Sequence, residues 1–331
     1  ADITVKKITI NGATVESSKV YDGTSEAKIT NAGTLSDNYD GENLTIVAGS
    51  AAYDNKNVGT GKAVAFTGFA LAGDAAANYK LIAQPTDTTA DITAKEIAIN
   101  GAAVEASRIY NGTTDAKITN AGTPSVNYDG ENLKVAAGKA AYDNKNVGAG
   151  KTVTFTGFAL EGDAAANYKL TAQPESVTAD ITVKEIKIVD TAVEASKVYD
   201  GSTDAKVTAA GTFDGLVDGD KVAIVPGKAL YNDKNVGNGK TVTFYDFALS
   251  GEDAANYVLS AQPEGTTANI SAKELTITDL AVKDKQYDGK NTAEIDGTPA
   301  LVGAVDGDVL TLVHGVPTFD SVTVGKNIPV S

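Results

Sequence analysis

The chain has 331 residues, of which 43 are acidic and 28 basic, so its formal net charge is −15, and it contains no Cys, Met or Trp. The lack of Cys excludes disulfides and thiolate metal sites, the basic residues are too scattered to bind nucleic-acid phosphates, and no run of 18 apolar residues predicts insertion into a membrane. The absence of oxidisable sulfur suits an oxidising exterior. Because no initiator Met or signal peptide is present, we expect a processed or excised piece of a longer protein.

Four copies of one sequence unit follow one another along the chain. The tyrosine of a Tyr-Asp-Gly motif recurs at spacings of 89, 89 and 88 residues, a period too long for one rung of a solenoid and typical of a domain. Asp-Asn-Lys-Asn-Val-Gly and Ala-Ala-Asn-Tyr motifs follow in the same order, with small changes, in the first three copies. The motifs predict the last strand of a preceding repeat at 1–5, complete repeats at 6–94, 95–183 and 184–272, and a truncated fourth repeat at 273–331.

Within a repeat, apolar residues alternate with the period of two that indicates a half-buried strand. In the segment 64–71 the apolar face switches at Thr67-Gly68, which predicts a β-bulge or a crossing between sheets. The alanine-rich segment 74–78 has room for one helical turn. Turn signals about every 8–12 residues are typical of sandwiches. We therefore predict an all-β fold of tandem β-sandwich-like domains.

The connection between consecutive repeats is short. One repeat ends with Ile92 and Ala94, the next begins with Ile97 and Ile99, and only a change of parity at Lys95-Glu96 separates them. Since no Gly-, Ser- or Pro-rich linker intervenes, little hinge freedom is expected. The domains are therefore predicted to stack end to end as an elongated rod, at roughly 35–45 Å per repeat if ordinary strands lie near its axis.

Taken in order, the motifs Lys-Val-Tyr-Asp-Gly-Thr, Asp-Asn-Lys-Asn-Val-Gly-Thr-Gly-Lys, Asn-Tyr-Lys-Leu and Ala-Asp-Ile-Thr resemble the YDG domain. That family occurs as tandem copies in very large secreted bacterial proteins, including filamentous haemagglutinin-like adhesins. The resemblance covers essentially the whole chain and implies an extracellular, all-β repeat module without catalytic residues. The fourth copy departs from the pattern, because residues 319–325 read Phe-Asp-Ser-Val-Thr-Val-Gly and lack the Lys-Asn pair.

Two interpretations fit the Tyr-Asp-Gly motif. Asp22, Asp200 and Asp288 are candidates for contacting a ligand or metal. Alternatively the motif is a β-turn, in which Asp caps backbone amides, Gly takes a positive φ and Tyr packs on the core. Asn111 in the second copy favours the turn, because Asn caps as Asp does. The predicted structural turns are Tyr21-Asp22-Gly23, Tyr110-Asn111-Gly112, Tyr199-Asp200-Gly201 and Tyr287-Asp288-Gly289.

Acidic turns are candidates for Ca²⁺ binding, the one cofactor that the sequence brings into consideration. Asp218 and Asp220, and likewise Asp306 and Asp308, place two carboxylates two residues apart. The equivalent segments of the first two repeats are Asp40-Gly41-Glu42 and Asp129-Gly130-Glu131. Ca²⁺ takes about 6–8 oxygen ligands and none of these runs forms a complete loop of the EF-hand type. Asp-Gly-Asp is also an ordinary hairpin turn.

The Asp-Asn-Lys-Asn-Val-Gly motif suggests a second kind of site, a Lys–Asn isopeptide bond of the sort that staples many stalk domains. Such a bond needs Lys, Asn and an acid buried together, whereas charged groups are rarely fully buried. The alternative is a polar hairpin loop. The candidate residues are Lys56, Asn57, Lys145, Asn146, Lys234 and Asn235.

The residue inventory argues against an enzyme, since the only His is His314 and no Ser/His/Asp order or phosphate loop recurs. We expect a structural stalk of a secreted or cell-surface bacterial adhesin, whose partners are neighbouring repeats of the same protein and in which each repeat adds length. Two alternatives remain. In the first, the repeats are themselves multivalent binders of host or matrix glycan or protein. In the second, residues 1–5 of one molecule partly complete the fourth repeat of another.

Overall fold

The computed structural model describes residues 1–39, 41–128 and 130–331, and these are organised almost wholly by β-strands. The helical segments within these ranges are 3-10 turns at Ala76–Asn78, Ala165–Asn167 and Ala254–Asn256. The first of them lies in the segment for which one helical turn was predicted. No helix in the described ranges has the length and hydropathy needed to span a membrane. The prediction of an all-β fold is confirmed.

The strands of the first three repeats follow one pattern, offset by 89 residues. The first repeat contains β1 (Lys6–Ile8), β2 (Ile10–Asn11), β3 (Thr14–Val15), β4 (Ser18–Val20), β5 (Glu26–Ala27), β6 (Ile29–Asn31), β7 (Thr34–Leu35), β8 (Thr45–Val47), β9 (Ser50–Tyr53), β10 (Gly59–Thr67), β11 (Ala70–Ala72), β12 (Tyr79–Leu81) and β13 (Thr88–Thr93). The second contains β14 (Lys95–Ile97), β15 (Ile99–Asn100), β16 (Ala103–Val104), β17 (Ser107–Ile109), β18 (Asp115–Ala116), β19 (Ile118–Asn120), β20 (Thr123–Pro124), β21 (Lys134–Ala136), β22 (Lys139–Tyr142), β23 (Gly148–Thr156), β24 (Ala159–Glu161), β25 (Tyr168–Leu170) and β26 (Val177–Thr182).

In the third repeat the first two strands are fused into one. Its strands are β27 (Lys184–Val189), β28 (Ala192–Val193), β29 (Ser196–Val198), β30 (Asp204–Ala205), β31 (Val207–Ala209), β32 (Thr212–Asp214), β33 (Ala223–Val225), β34 (Lys228–Tyr231), β35 (Gly237–Tyr245), β36 (Ala248–Ser250), β37 (Tyr257–Leu259) and β38 (Thr266–Ser271). The fourth repeat has β39 (Thr276–Thr278), β40 (Ala281–Val282), β41 (Ile295–Asp296) and β42 (Ala300–Val302).

A five-stranded sheet forms the centre of each of the first three repeats. In the first repeat its order is β4-β13-β10-β9-β5, and β13 pairs in parallel with β4 and antiparallel with β10. Alternate residues of these strands are buried, as the period of two requires. Tyr53, Val64, Phe66, Ala90 and Ile92 are each at most 5% exposed. The last strand of a repeat is therefore an inner strand of its main sheet.

The remaining strands form small two-stranded sheets, among them a parallel β1–β12 pair and an antiparallel β8–β11 pair. The chain enters the second of these pairs directly from the main sheet. β10 ends at Thr67, Gly68 takes a φ of 71°, and β11 begins at Ala70. The predicted crossing between sheets is thus confirmed. Asp246, which replaces the glycine in the third repeat, takes the same left-handed conformation with a φ of 61°.

The chain divides into two compact units. The first comprises Ala1–Ile109 and Thr113–Thr182, and the second comprises Tyr110–Gly112 and Val183–Ser331. Within the first unit, β13 ends at Thr93 and β14 begins at Lys95. The connection between the first two repeats is therefore a single residue, in agreement with the prediction that no linker intervenes.

Candidate functional site

The Tyr-Asp-Gly motif is a tight turn that follows β4. Gly23 has a φ of 79°, which is the left-handed conformation that glycine adopts without a steric cost. The Asp22 carboxylate accepts hydrogen bonds from the Thr24 amide at 2.9 Å and from Lys19 Nζ at 2.8 Å. Burial acts to raise the pKa of Asp22, but the bonds from Lys19 and Thr24 outweigh it and the pKa is lowered. Asp22 therefore acts as the cap of the turn.

The same cap recurs in the later repeats. Asp200 accepts from the Ser202 amide at 2.9 Å and from Lys197 Nζ at 2.8 Å. These bonds, led by that of Lys197, lower the pKa of Asp200 to about 2. Asp288 accepts from the Lys290 amide at 2.9 Å. The aspartates of the motif are thus occupied in shaping the loop that carries the tyrosine.

The tyrosine of the turn packs against the following repeat. Tyr21 is 1% exposed, and its ring meets those of Tyr128 and Tyr168 edge to face, with centroids 5.8 and 5.4 Å apart. It belongs to a hydrophobic cluster that also holds Ile97 and Leu133 of the second repeat. Edge-to-face contacts of this kind stabilise by about 0.5–1.5 kcal/mol beyond their buried area. The first two repeats therefore share one core.

A glutamate of the second repeat gathers three hydrogen-bond donors beneath this cluster. Glu131 accepts from the hydroxyl of Tyr21, from that of Tyr168 at 2.5 Å, and from Lys56 Nζ at 2.7 Å. Its side chain is 3% exposed, whereas that of Lys56 is 42% exposed. Burial acts to raise the pKa of Glu131, but the three donors outweigh it, so the pKa is lowered and the buried side chain is ionised.

The loop that carries Lys56 makes a second set of contacts with the second repeat. The Val58 amide donates to Asn167 Oδ1 at 2.9 Å, and Asn167 Nδ2 donates to Asn57 Oδ1 at 3.1 Å. Asn167, which ends a 3-10 turn, is 5% exposed. A buried amide with both of its polar atoms bonded fixes its neighbour in one position, because displacement would leave these groups unpaired. We call Tyr21, Lys56, Asn57, Glu131, Asn167 and Tyr168 together the junction cluster.

The second unit contains equivalent contacts. Tyr110 and Tyr257 both donate to Asp220 Oδ2, at 2.7 and 2.5 Å, and their rings meet edge to face. Tyr199 donates to Asp308 Oδ1 at 2.9 Å. Aspartate stands here at the position that Glu131 takes in the first unit, and Val217 stands at that of Tyr128. An acidic side chain therefore accepts the tyrosine hydroxyl in both units, although it is a glutamate in the first and the shorter aspartate in the second.

The YDG domain model matches residues 4–90, 93–176, 182–266 and 271–331, four copies that together cover nearly the whole chain. The chain belongs to the YDG domain family. No curated protein matches it. Four tandem YDG repeats make it a repeat-containing structural or binding protein.

The Ca²⁺ candidates of the YDG repeats lie in the Asp-Gly-Asp turns of the third and fourth repeats and in the equivalent Asp-Gly-Glu segments of the first two. Asp220 and Asp308 face tyrosine hydroxyls, whereas Asp218 and Asp306 are exposed. Asp40 and Asp129 lie outside the described residues. Within the ranges that the structure describes, no group of three or more His, Asp or Glu side chains is placed to hold a metal ion. A role for Ca²⁺ stays a prediction.

The isopeptide candidates lie in the polar loop before the long strand of each repeat. Lys56 is paired with the Glu131 carboxylate, and Asn57 with Asn167. Lys145 is half-buried, and the Asn146 amide donates to Asn144 Oδ1 at 3.0 Å. Lys234 Nζ lies 3.9 Å from Asp308 Oδ1, and the Asn235 amide donates to Asp233 at 2.8 Å. A covalent staple at these positions stays a prediction.

The sequence did not reveal the role of the second-repeat residues that contact the first repeat. The Ala-Ala-Asn-Tyr motif was recognised as recurrent, but Asn167 and Tyr168 were given no function. Glu131 was considered only within the Asp129-Gly130-Glu131 segment, as an equivalent of the Ca²⁺ candidates. The signal was present, because all of these residues recur with the same period as Tyr21. Residues 110 positions apart reveal their contact only when one repeat is placed on the next.

Proposed function

We propose that the chain is a structural spacer of an extracellular bacterial adhesin, secreted or held at the cell surface, that projects a distal binding region. The observation that carries this proposal is that recurrent residues of the first repeat contact the second repeat. Tyr21, Lys56 and Asn57 contact the next repeat. Recurrent residues that join neighbouring repeats support a role in which each added repeat extends the protein.

Two further features support the spacer. The first two repeats share a hydrophobic cluster, and only one residue separates β13 from β14. Both restrict bending between these repeats, because bending would expose Tyr21 and strain the short connection. In this proposal the partners are neighbouring repeats of the same protein, the chain carries out no catalysis, and it binds neither nucleic acid nor membrane.

Multivalent binding of glycan or matrix protein by the repeats themselves has less support. Exposed aromatic side chains are found at Tyr39, Tyr245 and Tyr287, at 60%, 42% and 69% exposure. They occupy different positions within their repeats, and the equivalent of Tyr39 in the third repeat is Val217. A surface that binds one ligand many times needs the same contact in every copy.

Small-angle X-ray scattering over a concentration series, with and without EDTA, tests the spacer. We expect a stiff, extended particle whose length corresponds to roughly 35–45 Å per repeat. A flexible string of beads would contradict the proposal. Bending on addition of EDTA would show that Ca²⁺ stiffens the acidic turns.

A variant that weakens the junction cluster tests whether this cluster is the source of the stiffness. Tyr21→Ala removes the ring that joins the first two repeats, so we expect increased flexibility at constant mass. Tyr287→Ala serves as the control, because the equivalent ring there is 69% exposed.

A further inference from the structure

In the first three repeats, the glycine of the Tyr-Asp-Gly or Tyr-Asn-Gly turn lies directly against the following repeat. A Cβ atom placed on Gly112 would lie 2.7 Å from Val217 Cγ1. One placed on Gly201 would lie 2.8 Å from Val305 Cγ1. Carbon atoms in favourable contact are roughly 3.5–4.0 Å apart. The glycine is therefore needed for its lack of a side chain as well as for its positive φ, because a Cβ atom would push the following repeat away.

The first unit has the same contact with a larger side chain. A Cβ atom placed on Gly23 would lie 3.1 Å from both Cβ and Cγ of Tyr128. The Tyr128 ring also meets that of Tyr21 edge to face, with centroids 5.8 Å apart, and is stacked on that of Tyr168 at 6.2 Å. The position that covers the glycine is thus filled by an aromatic ring in the first unit and by a smaller, β-branched side chain in the second.

The residue that covers the glycine changes together with the acid three positions later in the sequence. Tyrosine occurs with glutamate, and valine occurs with aspartate. We call these two positions the acceptor pair. The four pairs along the chain are Tyr39 with Glu42, Tyr128 with Glu131, Val217 with Asp220, and Val305 with Asp308. The sequence therefore contains two kinds of pair, one with two large members and one with two small members.

One tyrosine hydroxyl bonds to both members of the pair. In the first unit, the hydroxyl of Tyr168 accepts from the Tyr128 amide at 3.3 Å and donates to Glu131 at 2.5 Å. In the second unit, the hydroxyl of Tyr257 accepts from the Val217 amide at 3.1 Å and donates to the aspartate of the pair at 2.5 Å. In both units the amide of the acid also donates to the carbonyl of the first member at 3.2 Å. The backbone arrangement is thus common to both kinds of pair, and the side chains differ.

The two kinds of acid use their oxygens differently. Glu131 accepts from Tyr21 and Tyr168 on separate oxygens, whereas Asp220 accepts from both of its tyrosine hydroxyls on Oδ2. The shorter side chain holds its carboxylate nearer to its own backbone, so the tyrosine of the turn must come closer to reach it. Valine leaves room for that approach, and the Tyr128 ring does not. A large covering residue therefore needs the longer acid.

We propose that the two members of each acceptor pair are matched in size and together determine whether a repeat accepts the turn of the repeat before it. The partner that this surface fits is a Tyr-Asp-Gly or Tyr-Asn-Gly turn, which offers a hydroxyl to the acid and a bare glycine to the covering residue. The inference rests on the proposed function, because the pair acts at the junctions of the spacer. The two can fail separately, since the pair is tested by local stability and the spacer by the stiffness of the whole particle.

A double-mutant cycle in the full chain tests the match. Tyr128→Val and Glu131→Asp each create a mixed pair, and we expect each to lower the hydrogen-exchange protection of the Val58 amide about tenfold. This amide reports on the junction, because it donates to Asn167 of the following repeat. The double variant carries the valine–aspartate pair and should lose less protection than either single variant, staying within about threefold of the wild type. Independent positions would instead multiply the two losses to about a hundredfold, which would overturn the proposal.

The reciprocal cycle in the second unit decides the question if a variant of the first unit fails to fold. Val217→Tyr and Asp220→Glu each create a mixed pair there, and together they give the tyrosine–glutamate pair. We expect the double variant to be more stable than either single variant, as measured by hydrogen exchange in urea of peptides from the third repeat. Double variants that are no more stable than their single variants in both units would overturn the proposal.

Substitution of the glycine tests the other side of the contact. Asparagine tolerates a positive φ, so Gly112→Asn mainly adds a side chain against Val217, and we expect about tenfold lower protection in the third repeat. Adding Val217→Ala should restore most of it. Gly101→Asn is the control, because Gly101 has a φ of 75°, close to the 80° of Gly112, and no described atom beyond its chain neighbours lies within 4 Å of its Cβ position. Equal losses in the two glycine variants would overturn the contact, because the positive φ alone would then explain the glycine.

Discussion

The first and second repeats differ in what covers one of their faces, although both build that face from the same residue types. We call it the receiving face, because in the second repeat it contacts the Tyr-Asp-Gly turn of the first. In the first repeat, Ile8, Leu44, Ala75 and Tyr79 form a small separate cluster. Their equivalents in the second repeat are Ile97, Leu133, Ala164 and Tyr168, and these merge with the core of the preceding repeat. Asn78 is exposed, whereas Asn167 is 5% exposed. The junction is therefore a property of two adjacent repeats and not of one.

The largest expected effect concerns the tyrosine of the turn. Tyr21→Ala should lower the free energy of unfolding of the first unit by about 3–5 kcal/mol, because a buried aromatic ring leaves a cavity. Tyr287→Ala should change stability little, since its ring is exposed. Hydrogen exchange in urea, followed in peptides from each repeat, measures both. Equal effects at the two positions would contradict the importance of the neighbouring repeat.

The acid of the receiving face gives the next comparison. Glu131→Ala leaves the hydroxyls of Tyr21 and Tyr168 without their acceptor, so we expect a loss of about 2–3 kcal/mol. Glu42→Ala should cost less than half as much, because Glu42 accepts one tyrosine hydroxyl, that of Tyr79, where Glu131 accepts two. Urea denaturation of both variants gives the two values, and a larger loss for Glu42→Ala would refute the assignment.

A smaller difference is expected for the buried amide. Asn167→Ala removes the bonds to Val58 and Asn57 and should cost about 1–2 kcal/mol. Asn78→Ala changes an exposed residue and should stay within about 0.5 kcal/mol of the wild type. Amide exchange at Val58 offers a local readout, since this amide donates to Asn167. Unchanged protection of Val58 in Asn167→Ala would show that the bond contributes nothing.

The smallest expected effect is the pH dependence of stability that the junction cluster confers. The folded pKa of Glu131 lies below its usual value of 4.5, so its contribution is complete above about pH 4.5 and is lost as the pH falls through the folded pKa. Burial, followed by the bond to Glu131, raises the pKa of Tyr21 above 10, so this contribution is complete below about pH 10 and is lost at higher pH. Glu131→Gln should flatten the acid side of a stability profile measured by urea denaturation. An unaltered profile would exclude Glu131 as its source.

Local features of the fold were predictable from the sequence because their causes are local. The switch of faces at Thr67-Gly68 follows from the period of two, and the turn at Asp22-Gly23 follows from capping and positive φ. The partners of Tyr21 were not predictable, because Glu131 lies 110 residues away in another repeat. Periodicity shows which side of a strand is buried but not what covers it. The repeat boundaries and the rod arrangement stay predictions.

The inner position of β13 has a mechanical consequence. Tension applied along the polypeptide enters the first repeat through β1 and leaves it through β13. β1 is held in parallel by β12, and β13 is held on both sides by β4 and β10. Pulling a strand along its own length loads its flanking hydrogen bonds together, instead of opening them one after another. Each of the first three repeats has this arrangement and is therefore expected to resist traction in shear, because a force that pulls on its two ends must break several hydrogen bonds at once before the repeat lengthens.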